Sequence, residues 1–503
     1  MRADAQCGMA RPRHLVATPF LAIDRALPIS LERQLYAAFR RAIREGLMRA
    51  GARLPASRLL AMDLGVSRNT VIDVYRRLIT EGYVCANTGA GTFVARQQFA
   101  RPPASADPEM PLSFFGQAVQ RANCVVGSCG AFVPNIPALD QFPRLRWSQL
   151  MQARWRSTPL TMSGLDSIIG LRVLREAIAE HIAPMRGIVC DPDQVIITTG
   201  RRSGIDCIVR VLADRGDAVM LEDPCDTVIQ ELIDSLQLRI MTADVDTDGL
   251  KPPITENSPP RMVILSPARQ NPLGTVMSLG RRYMLLEWAK KHDIVILEDE
   301  ADAAFNGNSP QGHSLKAIDT RGRVLYAGSF SASLSFFINL GFIIAPAEFV
   351  TLLGRARSLT GAVAGAPEQA VLADFIQSGD YARYVLRMSR IYEERRDALR
   401  YELTHYLAGP IRAMTDGGLH ILAWLAEDMD DAYITRAAEE RGIVAPALSS
   451  YAIERNLAPA LVLGYGSTPP DAIPDAVRKL AIAFECRALV SGGDPSTRCA
   501  RSG

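Results

Sequence analysis

Residues 53–83 read Arg53-Leu-Pro-Ala-Ser57-Arg58-Leu-Leu-Ala-Met-Asp-Leu-Gly65-Val-Ser67-Arg68-Asn69-Thr70-Val71-Ile-Asp-Val-Tyr-Arg-Arg-Leu-Ile-Thr-Glu-Gly-Tyr83. Ser57 reads as the N-cap of a short helix with Leu59, Leu60 and Leu64 on its apolar face, and Gly65 supplies the turn that ends it. Ser67 then caps a second helix, in which Val71, Val74, Tyr75 and Leu78 recur at i, i+3, i+4 and i+7 and share one buried stripe. That spacing leaves Arg68, Asn69, Thr70 and Ile72 near the exposed N-terminal end, the end a helix-turn-helix offers to the major groove of DNA.

The flanks agree. Tyr83 to Val94 reads as two short strands around a turn at Gly89, a wing that would lie against the nucleic-acid backbone or minor groove. Upstream, Leu31, Leu35, Phe39, Ile43 and Leu47 predict a helix packed over the pair, with Gly46 near its end. Between Leu27 and Arg96 eleven arginines stand against five acids, a net +6, while the whole chain is only +2. A basic module on a nearly neutral body is the charge pattern of a phosphate-binding head.

These residues resemble the winged helix-turn-helix of the GntR family of bacterial transcription regulators, with Leu54-Pro55-x-Ser57-Arg58, Ser67-Arg68-Asn69-Thr70-Val71 and Glu81-Gly82-Tyr83 in register. The resemblance implies that Arg58 and Arg68 read phosphate and base, that Ser67, Asn69 and Thr70 accompany them, and that Gly89 marks the wing tip.

At 503 residues the chain implies two or more domains. With 48% hydrophobic and 22% charged residues it has an ordinary soluble composition. No apolar run reaches about eighteen residues, so no membrane span is expected. The first twenty-six residues lack the features of a signal peptide and read as a loose leader, which points to the cytoplasm. Nine scattered cysteines read as free thiols; Cys124 and Cys129 are the one close pair, and no second pair at zinc-site spacing accompanies them. Lysines number five: 251, 290, 291, 316 and 479.

Residues 27–96 form the head, and a Pro-rich connection over 97–130 reads as a linker. From 131 to 490 strands alternate with helices, a large part over about 131–375 and a smaller lobe over about 376–490; a disordered tail is expected over 491–503. The apolar runs 194–199, 218–221, 262–265, 294–297 and 324–327 imply a parallel or mixed sheet covered on both faces, with its sites at the strands' carboxyl ends. The fold class is therefore α/β, a winged helix-turn-helix joined by a linker to a larger α/β body. A long amphipathic helix is expected over Tyr381–Leu403, and His420 reads as a structural residue in a strand.

In this order the segments resemble fold-type I aminotransferases, and more closely the aminotransferase-like domain of MocR regulators, the GntR subfamily that carries one. Glu222-Asp223-Pro224, Asn271-Pro272-Leu273-Gly274, Glu298-Asp299, Gly328-Ser329-Phe330-Ser331 and Gly418-Leu419-His420 are among the landmarks. The resemblance implies pyridoxal phosphate, a small amine or vitamer as effector, and a head-to-tail homodimer. It gives Asp299 as partner of the pyridinium nitrogen, with Asn271, Ser329, Ser331, Gly200 and Arg201 as remaining cofactor contacts.

Against that pattern the imine-forming lysine is replaced by Ala332, a ring-oxygen tyrosine by Ala301, a stacking aromatic by Asp226, and a phosphate-binding arginine by Asn339. Only a lysine amine forms the internal imine. Arg201 or Arg202 is expected to stand in for the lost phosphate cation. The chain thus reads as a regulator that binds double-stranded operator DNA as a homodimer, with an effector-binding or dimerising body that has lost covalent pyridoxal phosphate and catalysis and holds no metal. The alternative is a pyridoxal phosphate-dependent aminotransferase with an appended head.

Overall fold

The computed structural model describes residues 21, 23–87, 89–95, 111–122, 130–157, 164–253, 258–300, 314–335 and 337–490. Contacts divide the chain into two units, one ending at Pro111 and one beginning at Leu112. Cys124, Cys129, Ala301 and the 491–503 tail lie outside the described residues.

The first unit runs α1 (Leu31–Arg44), α2 (Ser57–Leu64), α3 (Arg68–Thr80), β1 (Val84–Asn87) and β2 (Gly91–Val94). The two strands pair antiparallel from Val84↔Val94 to Asn87↔Gly91, and Gly89 takes φ +78° in the turn between them. Leu35, Phe39, Leu60, Val71, Val74 and Leu78 are fully buried where the three helices meet. Tyr75 meets Phe39 edge-on, and its hydroxyl donates to the Pro55 carbonyl at 2.8 Å, which fixes the entry to α2.

Four details depart from the sequence reading. Ser57 is the first residue of α2 and not its cap; Ala56 holds the cap position and makes no side-chain bond. Leu59 points outward, because each residue turns about 100° and the stripe facing α3 runs through Leu60, Ala61 and Leu64. Leu47 is exposed: α1 stops at Arg44, Gly46 takes φ +74°, and Met48 enters the core in its place. The leader is not loose at its end, since Leu21 is buried in the head core and Arg25 donates to the Gly65 carbonyl at 2.6 Å.

The second unit begins inside the expected linker. Ser113 caps α4 (Phe114–Arg121), accepting from the Gly116 N–H at 3.1 Å, and α4 packs on a later helix of the same unit. Then come α5 (Arg144–Ser157), α6 (Leu165–Ile169), α7 (Arg172–Arg186), β3 (Val195–Thr198), α8 (Arg201–Leu212), β4 (Ala218–Asp223) and α9 (Thr227–Ser235), the helix α4 touches. β5 (Arg239–Asp246), β6 (Gly249–Leu250), β7 (Met262–Leu265), α10 (Leu279–His292), β8 (Val295–Glu300), α11 (Leu315–Ile318), β9 (Val324–Ser329) and β10 (Gly341–Ile344) follow. The chain continues through α12 (Ala347–Leu359), α13 (Ala366–Gln377), α14 (Asp380–Leu407), β11 (Ile411–Asp416), β12 (His420–Leu425), α15 (Asp431–Glu439), β13 (Ala460–Gly464) and α16 (Ile473–Val490).

Among the described residues the large sheet has eight strands in the order β3-β10-β9-β8-β7-β4-β5-β6. The central strands β9, β8, β7, β4 and β5 are parallel, and β10 runs antiparallel between β3 and β9. Both faces are covered: Val219 and Leu221 join one apolar cluster while Met220, between them, joins another. This is why the strand sequences are continuously apolar rather than alternating. α14 spans 28 residues, longer than expected, and Leu386 on it faces solvent while Tyr381, Tyr384, Met388, Tyr392, Leu399 and Leu403 are buried. It leads to an antiparallel sheet of order β11-β12-β13.

Two polar ties bring this small sheet to the strand ends. The buried Asp223 carboxylate, at the end of β4, accepts from the N–H groups of Ile453, Glu454 and Arg455 at 3.0, 2.8 and 3.0 Å. His420, fully buried at the start of β12, donates from Nε2 to the Pro272 carbonyl at 2.8 Å; its Nδ1 has no partner among the described residues. Burial holds the imidazole down to about 4, so it stays neutral in the fold.

Asp223→Ala leaves three N–H groups without their acceptor and is expected to cost about 3 kcal/mol or more in urea unfolding. Asp223→Asn, which keeps an acceptor oxygen, is expected to cost less. The unfolded His420 takes up a proton below its ordinary 6.5 and the folded one does not until about 4, so this residue withdraws stability as pH falls through that window. At roughly 1.4 kcal/mol per pH unit the loss totals about 3 kcal/mol. His420→Gln keeps a donor for Pro272 without titrating, and its unfolding free energy is expected to be correspondingly flatter with pH than that of the unsubstituted protein.

Candidate functional site

Two surfaces collect the residues singled out in the sequence. In the first unit, the Ser67 side chain accepts from the Thr70 N–H at 3.0 Å and meets the Thr70 hydroxyl at 2.8 Å, which caps α3. The stripe Val71, Val74, Tyr75 and Leu78 is buried as the spacing requires, which turns the opposite side of the first turn outward. Ser67, Arg68 and Asn69 are exposed there and Thr70 is half-buried; Arg58 is exposed on α2 and Gly89 at the wing tip. Further along α3, Arg76 pairs with Asp73 and Arg77 with Glu81, whereas no ion pair among the described residues uses Arg58 or Arg68. The Arg68 guanidinium at a capped helix N-terminus, with a second exposed on α2 at Arg58, is suited to base edges and phosphate.

In the second unit, the carboxyl ends of β4, β7, β8 and β9 open on a cavity of about 690 Å³. Asp299, Asn271, Ser329, Ser331, Arg201 and Ala332 all line it. Gly200 stands behind: it takes φ +81°, and a Cβ there would come 2.1 Å from Asn339 Oδ1, so Asn339 lies directly over the Gly200 backbone. The Ser331 N–H donates to Ser329 Oγ at 3.0 Å, and the Ser331 hydroxyl donates to the Ile338 carbonyl at 3.2 Å. All five lysines are among the described residues and none lines the cavity; the Lys316 N–H donates to Glu298 at 2.8 Å on α11.

Arg201 differs from expectation. Instead of facing the place of a phosphate, its guanidinium forms an ion pair with Asp299 and donates to Asp226 Oδ2 at 3.1 Å. Asp226 meanwhile caps α9, accepting from the Val228 N–H at 3.1 Å. Only 13% of the Arg201 side chain and 4% of that of Asp299 is exposed, and Asp299 Oδ1 is buried without a partner among the described residues. Burial drives the Asp299 carboxyl up and the guanidinium opposes that rise; the two carboxylates in turn hold Arg201 above its ordinary value despite burial.

Other charged groups that the sequence reading left without a role line the same cavity. Arg186, at the end of α7, forms a buried ion pair with Glu300, which also accepts from the Tyr326 hydroxyl at 2.9 Å. Glu222 accepts from the Ser266 N–H at 3.0 Å, and burial pushes it up to about 8, so it is largely protonated at neutral pH. Arg269, Glu231 and the exposed Arg202 are further charged groups in the lining. The acidic pairs and triples at strand ends were the available signal for Glu222 and Glu300; nothing in the sequence tied Arg186 to Glu300.

Set against known proteins, residues 156–458 match the family described as aminotransferase class I and II, and residues 31–94 match that of bacterial regulatory proteins, gntR family. The probable rhizopine catabolism regulatory protein MocR of Rhizobium meliloti is 31% identical, over 94% of this chain and 97% of that one. The HTH-type pyridoxine biosynthesis transcriptional regulator PdxR of Corynebacterium glutamicum is 27% identical, over 90% of this chain and 96% of its own. An archaeal alanine:glyoxylate aminotransferase structure superposes with a TM-score of 0.66 at 24% identity, covering 75% of this chain and 96% of that one, a likeness of fold. The chain belongs to the MocR-type regulators of transcription, in which a DNA-binding gntR-family head is joined to an aminotransferase-like domain of class I and II.

Proposed function

We propose that this regulator reads its operator through the first turn of α3 and that its trunk works without covalent pyridoxal phosphate. In this reading Arg58 contacts phosphate and Arg68 a base edge. Ser67, Asn69 and Thr70 fix the register of the helix, and Gly89 lets the wing approach the duplex backbone. The observation that supports it is the division of α3: one stripe is wholly buried, and the first turn is exposed, capped and carries an unpaired guanidinium. Two such heads, paired through the trunks as a cytoplasmic homodimer, would bind half-sites about one helical turn or a multiple of it apart.

Pyridoxal phosphate is the cofactor of this fold family, and the residues lining the cavity fit it poorly. Ala332 offers no amine, Asn339 folds over Gly200 where a phosphate cation is expected, and Asp299 is engaged by Arg201. The side chains that remain bind and orient rather than transfer amino groups. The cavity is large enough for a small effector, to which Arg202 and Arg269 offer positively charged donors and Asn271 and Ser329 groups that donate or accept. A transaminating reading finds no nucleophilic amine in the lining.

With an operator enriched from random duplexes, Arg68→Ala is expected to weaken binding by about tenfold to a hundredfold and relax one base position. Arg58→Ala is expected to weaken all sequences alike and to flatten the slope of log affinity against log salt by about one. Full operator affinity in Arg68→Ala would remove the assignment. For the trunk, incubation with equimolar pyridoxal phosphate and then borohydride is expected to give no stoichiometric adduct on any of its five lysines; a stoichiometric adduct on one of them would contradict the loss of the imine.

A further inference from the structure

We propose that Arg201 is a built-in counterion seated where a ring cation would lie on Asp299, so that Asp299 has its cation without pyridoxal phosphate and its site is closed to the pyridinium ring. The proposal rests on reading Asp299 as the pyridinium partner, and it goes beyond the missing lysine: it says that the ring's place is taken, not merely that its anchor is gone.

Three observations carry it. Asp299 is 3% exposed at the end of a central strand, and an ionised carboxylate there needs a cation in contact. The cation it has is Arg201, the first residue of α8, whose position is held by Gly200 packed under Asn339. The second guanidinium nitrogen is taken up by Asp226, the residue that stands where the family's ring-stacking aromatic is expected. Neither change is tolerable alone. Asp226 without Arg201 would set two buried carboxylates side by side, and Arg201 without Asp226 would leave half of a buried guanidinium unpaired. Together they place a planar cation between two acids at the mouth of the pocket floor. A pyridinium approaching Asp299 meets a like charge, and displacing that charge strands it beside Asp226 alone.

The test uses the full-length protein with the amine restored. Ala332→Lys and Ala332→Lys/Arg201→Ala are incubated with graded pyridoxal phosphate, reduced with borohydride, and the labelled peptides mapped. With Arg201 present, half-labelling of the introduced lysine is expected to need about a hundredfold more pyridoxal phosphate than with Arg201 removed, the order expected for a lost buried charge contact. Equal labelling of the two variants overturns the seat while leaving the loss of the imine in the natural chain untouched; a stoichiometric adduct on a lysine of the unsubstituted protein sinks that other reading instead.

Because removing Arg201 can unfold the trunk, Arg201→Ala/Asp226→Asn supplies a second measurement. Methylguanidinium is expected to raise its melting temperature and not that of the unsubstituted protein, since a ligand that binds only the folded state stabilises it. The same shift in both proteins, or a shift in neither, overturns the seat.

Discussion

Five acidic side chains crowd the carboxyl ends of the two strands that flank β7: Glu222 and Asp223 on β4, and Glu298, Asp299 and Glu300 on β8, none more than 4% exposed. Water cannot neutralise them, so the fold must, and each is answered from a different element. Asp223 takes three N–H groups of the 453–455 segment, and Glu298 takes the N–H groups of Leu315 and Lys316 on α11. Glu300 is paired by Arg186 of α7 and by Tyr326 of β9, and Asp299 by Arg201 of α8. Glu222 receives the Ser266 N–H and is left largely protonated by burial. Glu222, Asp299 and Glu300, together with Ser266, Arg201 and Arg186 that answer them, line the cavity, so part of this neutralisation is also its wall.

The head follows a separate logic. Its stability comes from a compact apolar centre and from caps, and its chemistry is left to the exposed side of the capped α3 N-terminus. Burying Val71, Val74, Tyr75 and Leu78 fixes the rotation of α3, and rotation alone decides that Arg68 and Asn69 face outward. Arg76 and Arg77, on the same helix, are drawn into pairs with Asp73 and Glu81 and so contribute less free positive charge than their number suggests. Net charge overstates the available binding surface; pairing decides which guanidinium groups remain to meet phosphate.

Much of this was legible in the residues. The α3 stripe, the Ser67 cap, the Gly65 turn and the wing follow from short-range rules, and the alternating strands and helices follow from runs of apolar residues bounded by turn residues. The errors arose where a rule met a competitor. Leu47 continues the apolar spacing of α1, but the helix stops first and Met48 takes the interior place. The short β10 was missed because Gly341-Phe342-Ile343-Ile344 is only four residues long and its role depends on pairing between β3 and β9. In the cavity, Asp299, Asn271, Ser329 and Ser331 fell where the strand-end rule puts them. The partner of Arg201 did not, because residues 201, 226 and 299 are distant in sequence and ion pairing across a sheet leaves no local pattern.

The head and trunk thus make different uses of the same side chain. On α3 an arginine left without a carboxylate is available to nucleic acid; at the strand ends an arginine held by two carboxylates fills a place that the fold family gives to a cofactor. The most direct test of that second use is a crystal structure of the full-length protein grown with pyridoxal phosphate in excess. The account predicts the Arg201 guanidinium between Asp299 and Asp226, with no ring beside Asp299. A pyridine ring with its nitrogen on Asp299, and Arg201 turned away, would contradict it.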